Sequence, residues 1–296
     1  MSARGHWLIL LFWVATGVQG VEWESTEWHG TPAFRSAFSG WTAIVSPRWG
    51  RLVSCLSPDG DELLHMAAGD SPEASQGGTA GGHMVWLGPQ ERGKWPPPKQ
   101  WEYAAAVTTE ISGDELMMVL PTGTDAAPGL VRRYAWVAKG LRCSVSWSTP
   151  GRWHALHVFQ LQSQAKVRLT PLVSPDLPAG FAARTGDDMS IVRSISLPQP
   201  CLKSDPKSGL VLHRGEPFQK FFFPLQVPDI QIGQWHLGLE RQEVLGDEPD
   251  NGLPTQTFCG SRWDMVEVEQ ASPFLDAQHA PATSVVLLCF SDNNLK

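Results

Sequence analysis

Apolar and polar residues alternate with a period of two along much of this chain. Val131, Arg133, Ala135 and Val137 share one side of an extended segment, with Arg132, Tyr134 and Trp136 on the other. After Lys139-Gly140, the residues Leu141, Cys143, Val145 and Trp147 continue on one face, which predicts a hairpin turned at glycine. Residues 51–65 (RLVSCLSPDGDELLH) predict a second hairpin, turned by Pro58-Asp59-Gly60. Further strands are predicted at 40–47, 102–111, 115–120, 154–161, 166–172, 209–213, 219–224, 235–240, 264–270 and 284–290. No segment longer than two turns keeps a helical period. The expectation is an all-β chain, a large antiparallel sandwich or barrel.

Composition narrows this picture. With 24 Pro and 28 Gly in 296 residues, the chain is cut into short elements, and 42% hydrophobic residues suffice for a sizeable core. A net charge of −7 without a basic run argues against nucleic acid and anionic membrane as partners, since neither polyanion would attract the chain. The 14 Trp against 2 Tyr suit a thick core or a sugar-stacking surface, and composition does not separate the two. The Gly/Ser-rich stretch 69–82 reads as a mobile loop inside one domain, because strand patterns resume on both sides.

The N-terminus carries Arg4, a short apolar run at 7–14 (WLILLFWV), and small residues at Val18 and Gly20. This is the pattern of a secretory signal over 1–20, with a single mature domain over 21–296. The run is well short of the ~20 residues that span a bilayer, so no stable membrane span is expected. Cys55, Cys143, Cys201, Cys259 and Cys289 are too widely spaced for a CxxC metal or redox motif, and their pairing is not readable from spacing. Neither metal nor cofactor is expected.

Three segments can carry chemistry. The first runs from Gly81-Gly82-His83 through Trp86 and Glu91 to the rigid Trp95-Pro96-Pro97-Pro98 stretch and Trp101. Its indoles suit stacking on the apolar faces of pyranose rings, or burial in the core; both readings are open. The second is 153–161, where Ala155, His157, Phe159 and Leu161 share a face. His157 is there either a poised acid or a core histidine. The third is 263–273, where alternation sends Val266 and Val268 to one face and Glu267 and Glu269 to the other. Two carboxylates at i and i+2 stand roughly 7 Å apart. They are either a solvated face or, in a cleft, a pair whose crowding raises one pKa.

In this order, with these spacings, the segments resemble the galactose mutarotase-like superfamily, and most of all an exported bacterial branch with GGHxxW, WPP and ExExxSP patterns. The similarity runs from about Gly40 to Phe290. It implies a β-supersandwich with a sugar cleft. In catalysing members a glutamate takes the proton of the anomeric hydroxyl while a histidine protonates the ring oxygen. The resemblance places these roles on Glu269 and His157. It puts His83, Trp86, Glu91, Trp95, Trp101 and Glu267 around the sugar, with Gly81-Gly82-His83 as a substrate loop. The expected function is that of an exported, periplasmic or secreted, carbohydrate-binding protein. The alternatives are a mutarotase working through Glu269 and His157, and an envelope scaffold without a sugar ligand. The sequence does not fix the oligomeric state.

Overall fold

The computed structural model describes residues 20–66, 81–89, 97–102, 104–122, 128–185, 190–207, 209–243, 246–260 and 265–291. Among the described residues twenty-one strands follow one another: β1 (Glu24–Trp28), β2 (Thr31–Phe38), β3 (Trp41–Ser46), β4 (Arg51–Leu56), β5 (Gly82–Gly88), β6 (Thr108–Ser112) and β7 (Glu115–Val119). Next come β8 (Val131–Val137), β9 (Gly140–Trp147), β10 (Arg152–Gln162), β11 (Lys166–Leu169), β12 (Ala182–Thr185), β13 (Leu202–Asp205) and β14 (Gly209–Leu212). The last are β15 (Gln219–Phe223), β16 (Asp229–Ile232), β17 (Trp235–Arg241), β18 (Thr255–Cys259), β19 (Met265–Ala271), β20 (Leu275–Asp276) and β21 (Ala282–Ser291). The one described helical element is a single turn, Lys99–Glu102.

The strands form three sheets. β1-β2-β3-β4 make the smallest; β12-β15-β18-β19-β10-β20, with β5 on the free side of β10, make a seven-stranded sheet. β13-β14-β11-β16-β17-β21-β9-β8-β7-β6 make a ten-stranded one. The two larger sheets face each other across the main core, where Phe159, Phe221, Val266 and Val268 of one meet Trp136, Leu141, Ile230 and Leu288 of the other. Each such buried side chain contributes about 2 kcal/mol, which is why alternating apolar positions decide which face turns inward. The four-stranded sheet joins through Trp41, stacked on Phe290 with centroids 4.3 Å apart.

The hairpin expected at Pro58-Asp59-Gly60 is formed but short. The limb returns against β4 through an antiparallel bridge between Leu56 and Glu62 and the Leu63 N–H on the Cys55 carbonyl (3.0 Å), while the Glu62 carboxylate takes the N–H groups of Cys55 (2.9 Å) and Leu64 (2.8 Å). It then leaves for β10 through a bridge between Leu64 and Leu161. Two local expectations are corrected. The strand expected over 102–111 starts only at Thr108, because Pro98 seeds a helical turn closed by the Trp101 N–H on its carbonyl (2.9 Å). Gly81-Gly82-His83, expected as a substrate loop, instead opens β5 (Gly82–Gly88), a strand buried on both faces. Gly82 opens it at φ 71° and packs against the Leu52 carbonyl, where a side chain would collide. Of the loop expected over 69–82, residues 69–80 lie outside the described residues.

Candidate functional site

β10 is the middle of the site. Its ladder with β19 pairs Val158 with Glu269, Phe159 with Val268 and Gln160 with Glu267; its ladder with β5 pairs Phe159 with His83 and Leu156 with Trp86. Residues directly opposite in an antiparallel ladder point the same way, and neighbours along a strand point opposite ways. His83, Val85, His157, Phe159, Val268 and Gln270 therefore face inward. Met84, Trp86, Leu156, Val158, Gln160, Glu267 and Glu269 face outward.

The expected pairing of His157 with Glu269 is thus not formed. The sheet stands between them. The physical reason is that both strands turn their apolar face into one core, and His157 lies on that face while Glu269 lies opposite it. His157 is fully buried in a polar chain crossing from sheet to sheet. His83 Nδ1 meets Tyr134 Oη at 3.3 Å, His83 Nε2 meets His157 Nδ1 at 3.1 Å, and His157 Nε2 meets Ser284 Oγ at 3.0 Å. The Leu52 N–H donates to Tyr134 Oη at 3.2 Å. One set of tautomers satisfies every link: Tyr134 donates to His83, His83 to His157, and His157 to Ser284. Burial, and secondly the Arg132 charge, hold the His157 pKa down at about 3. Burial first, then the neighbouring His157, Arg132 and Arg51, push His83 well below its ordinary value. Both rings are neutral core residues, a part of the scaffold rather than of a sugar site.

On the outer face, the sheet sets polar side chains in two rows. One runs Arg184, Lys220, Phe258, Glu267, Gln160; the next runs Phe222, Gln256, Glu269, Val158. Lys220 Nζ crosses between rows to Glu269 Oε2 at 2.7 Å, and the Gln160 amide donates to Glu267 Oε1 at 2.6 Å. Gln256 donates to Asp250 at 2.5 Å. Glu269 is fully buried and Glu267 is 6% exposed. Burial first, then the charge of Glu269, push the Glu267 pKa up to about 8, against the lowering pull of Gln160 and Lys220. Glu267 therefore carries a proton at neutral pH beside an ion-paired Glu269. Glu269 Oε1 is buried and receives no N–H. A neutral acid that donates beside a carboxylate that accepts is a pair suited to a hydroxylated ligand or to moving a proton.

Trp86 shares this outer face but sits across β10 from Glu269, nearly buried. Trp101 does not belong to it. Its ring lies in an apolar cluster with Leu120 and Leu130, and Nε1 donates to the Pro128 carbonyl at 2.9 Å, so its expected sugar contact is corrected to a core role. His83 is corrected likewise. Glu91 and Trp95 lie outside the described residues. Among the described residues, no group of three His, Cys, Asp or Glu is placed to hold a metal, and no helix is long and apolar enough to cross a membrane. Two shallow hollows, of about 490 Å³ beside Lys166, His213 and Arg214 and about 450 Å³ beside Asp229 and His236, contain neither Glu267 nor Glu269.

Lys220, Gln160 and Gln256 are site residues that the sequence reading passed over. Gln160 had a signal: on the face opposite His157 it follows the apolar Leu156 and Val158. Lys220, in Gln219–Phe223 (QKFFF), is the only charge in an aromatic strand.

No protein-family model matches the sequence, and no curated protein matches it. Solved structures do match in shape. A galactose mutarotase-like protein from Lactobacillus casei aligns with a TM-score of 0.56 at 10% identity, covering 88% of this chain and 100% of that one. One from Clostridium acetobutylicum aligns at 0.54 and 10% identity, covering 92% and 99%. A galactose mutarotase related enzyme from Lactobacillus acidophilus aligns at 0.56 and 9% identity, covering 88% and 97%. At such identities the likeness is one of fold.

Proposed function

We propose that this chain, whose fold is that of the galactose mutarotase-like proteins, binds a carbohydrate on the outer face of its seven-stranded sheet, at Glu267 and Glu269. The observation that carries this reading is the buried acid pair, in which a protonated Glu267 adjoins a Glu269 held by Lys220. Buried polar groups need partners, and vicinal sugar hydroxyls supply both an acceptor for the Glu267 proton and donors for Glu269. Lys220, Gln256 and Phe258 extend the same surface, and Phe258 and Lys220 are partly exposed. The N-terminal signal pattern supports an exported protein that meets its sugar outside the cytoplasm.

The test is ligand-observed NMR with neutral mono- and oligosaccharides on the wild type and on Glu269→Gln. Binding by the wild type and its loss in the variant are expected. No saturation transfer to any sugar in the panel would remove the reading.

A second reading, anomer interconversion, draws on the same pair. Glu267 can protonate the ring oxygen while Glu269 takes the anomeric proton, without His157. Polarimetry on the sugars that bind decides it: a rate equal to the spontaneous one leaves a binding protein.

A further inference from the structure

We propose that Cys201 and Cys259 form a disulfide-closing pair that staples the two large sheets together under oxidising conditions. Cys201 immediately precedes β13, at the edge of the ten-stranded sheet, and Cys259 ends β18 in the seven-stranded sheet. Both are fully buried. Cys201 Sγ lies 3.6 Å from the Cys259 carbonyl oxygen, and Cys259 Sγ lies 3.9 Å from the Cys201 carbonyl oxygen, so each sulfur sits against the other residue's backbone. Gln219 holds both backbones: it is the ladder partner of Cys259, and its side-chain oxygen takes the Cys201 N–H at 3.1 Å. Each sulfur is thereby held within 4 Å of the other residue's backbone, which makes the two cysteines close neighbours where the two sheets meet.

The oxidant is a small-molecule disulfide such as oxidised glutathione. Local opening at the edge strand β13 exposes Cys201, whose thiolate attacks one glutathione sulfur and releases one reduced glutathione. Cys259 then displaces the second glutathione, so the two protein hydrogens leave on two glutathione thiols. The bond would close a loop across 58 positions and restrict the unfolded chain accordingly. This inference is independent of the sugar reading.

The experiment equilibrates the purified full chain in oxidised and in reduced glutathione, quenches with acid, and maps peptides by mass spectrometry without reduction. A loss of about 2 Da and a linked Cys201–Cys259 peptide are expected. A rise in Tm of about 5–10 °C, reversed by dithiothreitol, should accompany them. Cys201→Ser should abolish both. Five free thiols after oxidation, or a link between any other pair, would overturn the proposal. If the serine variant does not fold, the wild-type map alone decides.

Discussion

Glu269 and His157 occupy neighbouring strands yet stand on opposite sides of one sheet, because Glu269 is the ladder partner of Val158, the residue after His157. Proton transfer needs contact or a single bridging water. The sheet denies both. On the proposed function, acid–base roles therefore fall to Glu267 and Glu269, and the histidines belong to the core.

Replacing His157 separates these roles. His157→Phe breaks the bonds to His83 and Ser284 and strands two buried partners, so a loss of about 1–3 kcal/mol in urea unfolding is expected. Sugar affinity of the folded variant should stay within about twofold of wild type, since no direct contact is lost. A folded variant of unchanged stability that no longer bound sugar would return His157 to the site.

Glu267 gives stability an unusual pH dependence. Its ordinary value is 4.5 and its folded value about 8, so between these limits the native state holds a proton that the unfolded state has released. The contribution of this group falls as pH rises through that window, by an amount on the order of a few kcal/mol, and is constant below 4.5. His157 acts in the opposite sense: with its pKa at about 3 against an ordinary 6.5, its share is complete above 6.5 and declines as pH falls below it. Glu267→Gln should flatten a Tm-against-pH curve between about 4.5 and 8 while leaving the fall below 4.5 unchanged. Parallel curves for the two proteins would contradict the protonated state.

Lys220 neutralises a carboxylate that is out of water. Lys220→Met leaves Glu269 buried without its cation, and breaking such a pair costs about 3–5 kcal/mol. Chemical denaturation of the variant measures this. The double variant Lys220→Met/Glu269→Gln should recover most of the loss, and a failure to do so would show that the pair is not the cause.

Gly82 tests the strand that replaced the expected substrate loop. Its φ of 71° disfavours any side chain, and a Cβ would strike the Leu52 carbonyl. Gly82→Ala should cost at least about 1–3 kcal/mol through strain, read by thermal unfolding. A neutral substitution would mean that β5 does not pack as described.

Much of this molecule follows from local sequence. Alternation located the β8–β9 hairpin and the strands around β10, β15, β17, β19 and β21, because a buried sheet face repeats every second residue. The same alternation put His157 with Phe159 and Leu161, and Glu267 and Glu269 opposite two valines. Since both strands bury their apolar face, that pattern already opposed the convergence that the family resemblance implied. Pro98 and Gly82 show where local reading fails: a proline that seeds a turn, and a glycine that starts a strand.

The sequence by itself determined a β-rich chain, the two-sided character of its central strands and the residue types available for chemistry. Only the tertiary structure decided that Lys220 meets Glu269, that Gln160 meets Glu267 and that His83 meets His157. These contacts depend on register between strands as much as 107 positions apart, and no local pattern encodes register.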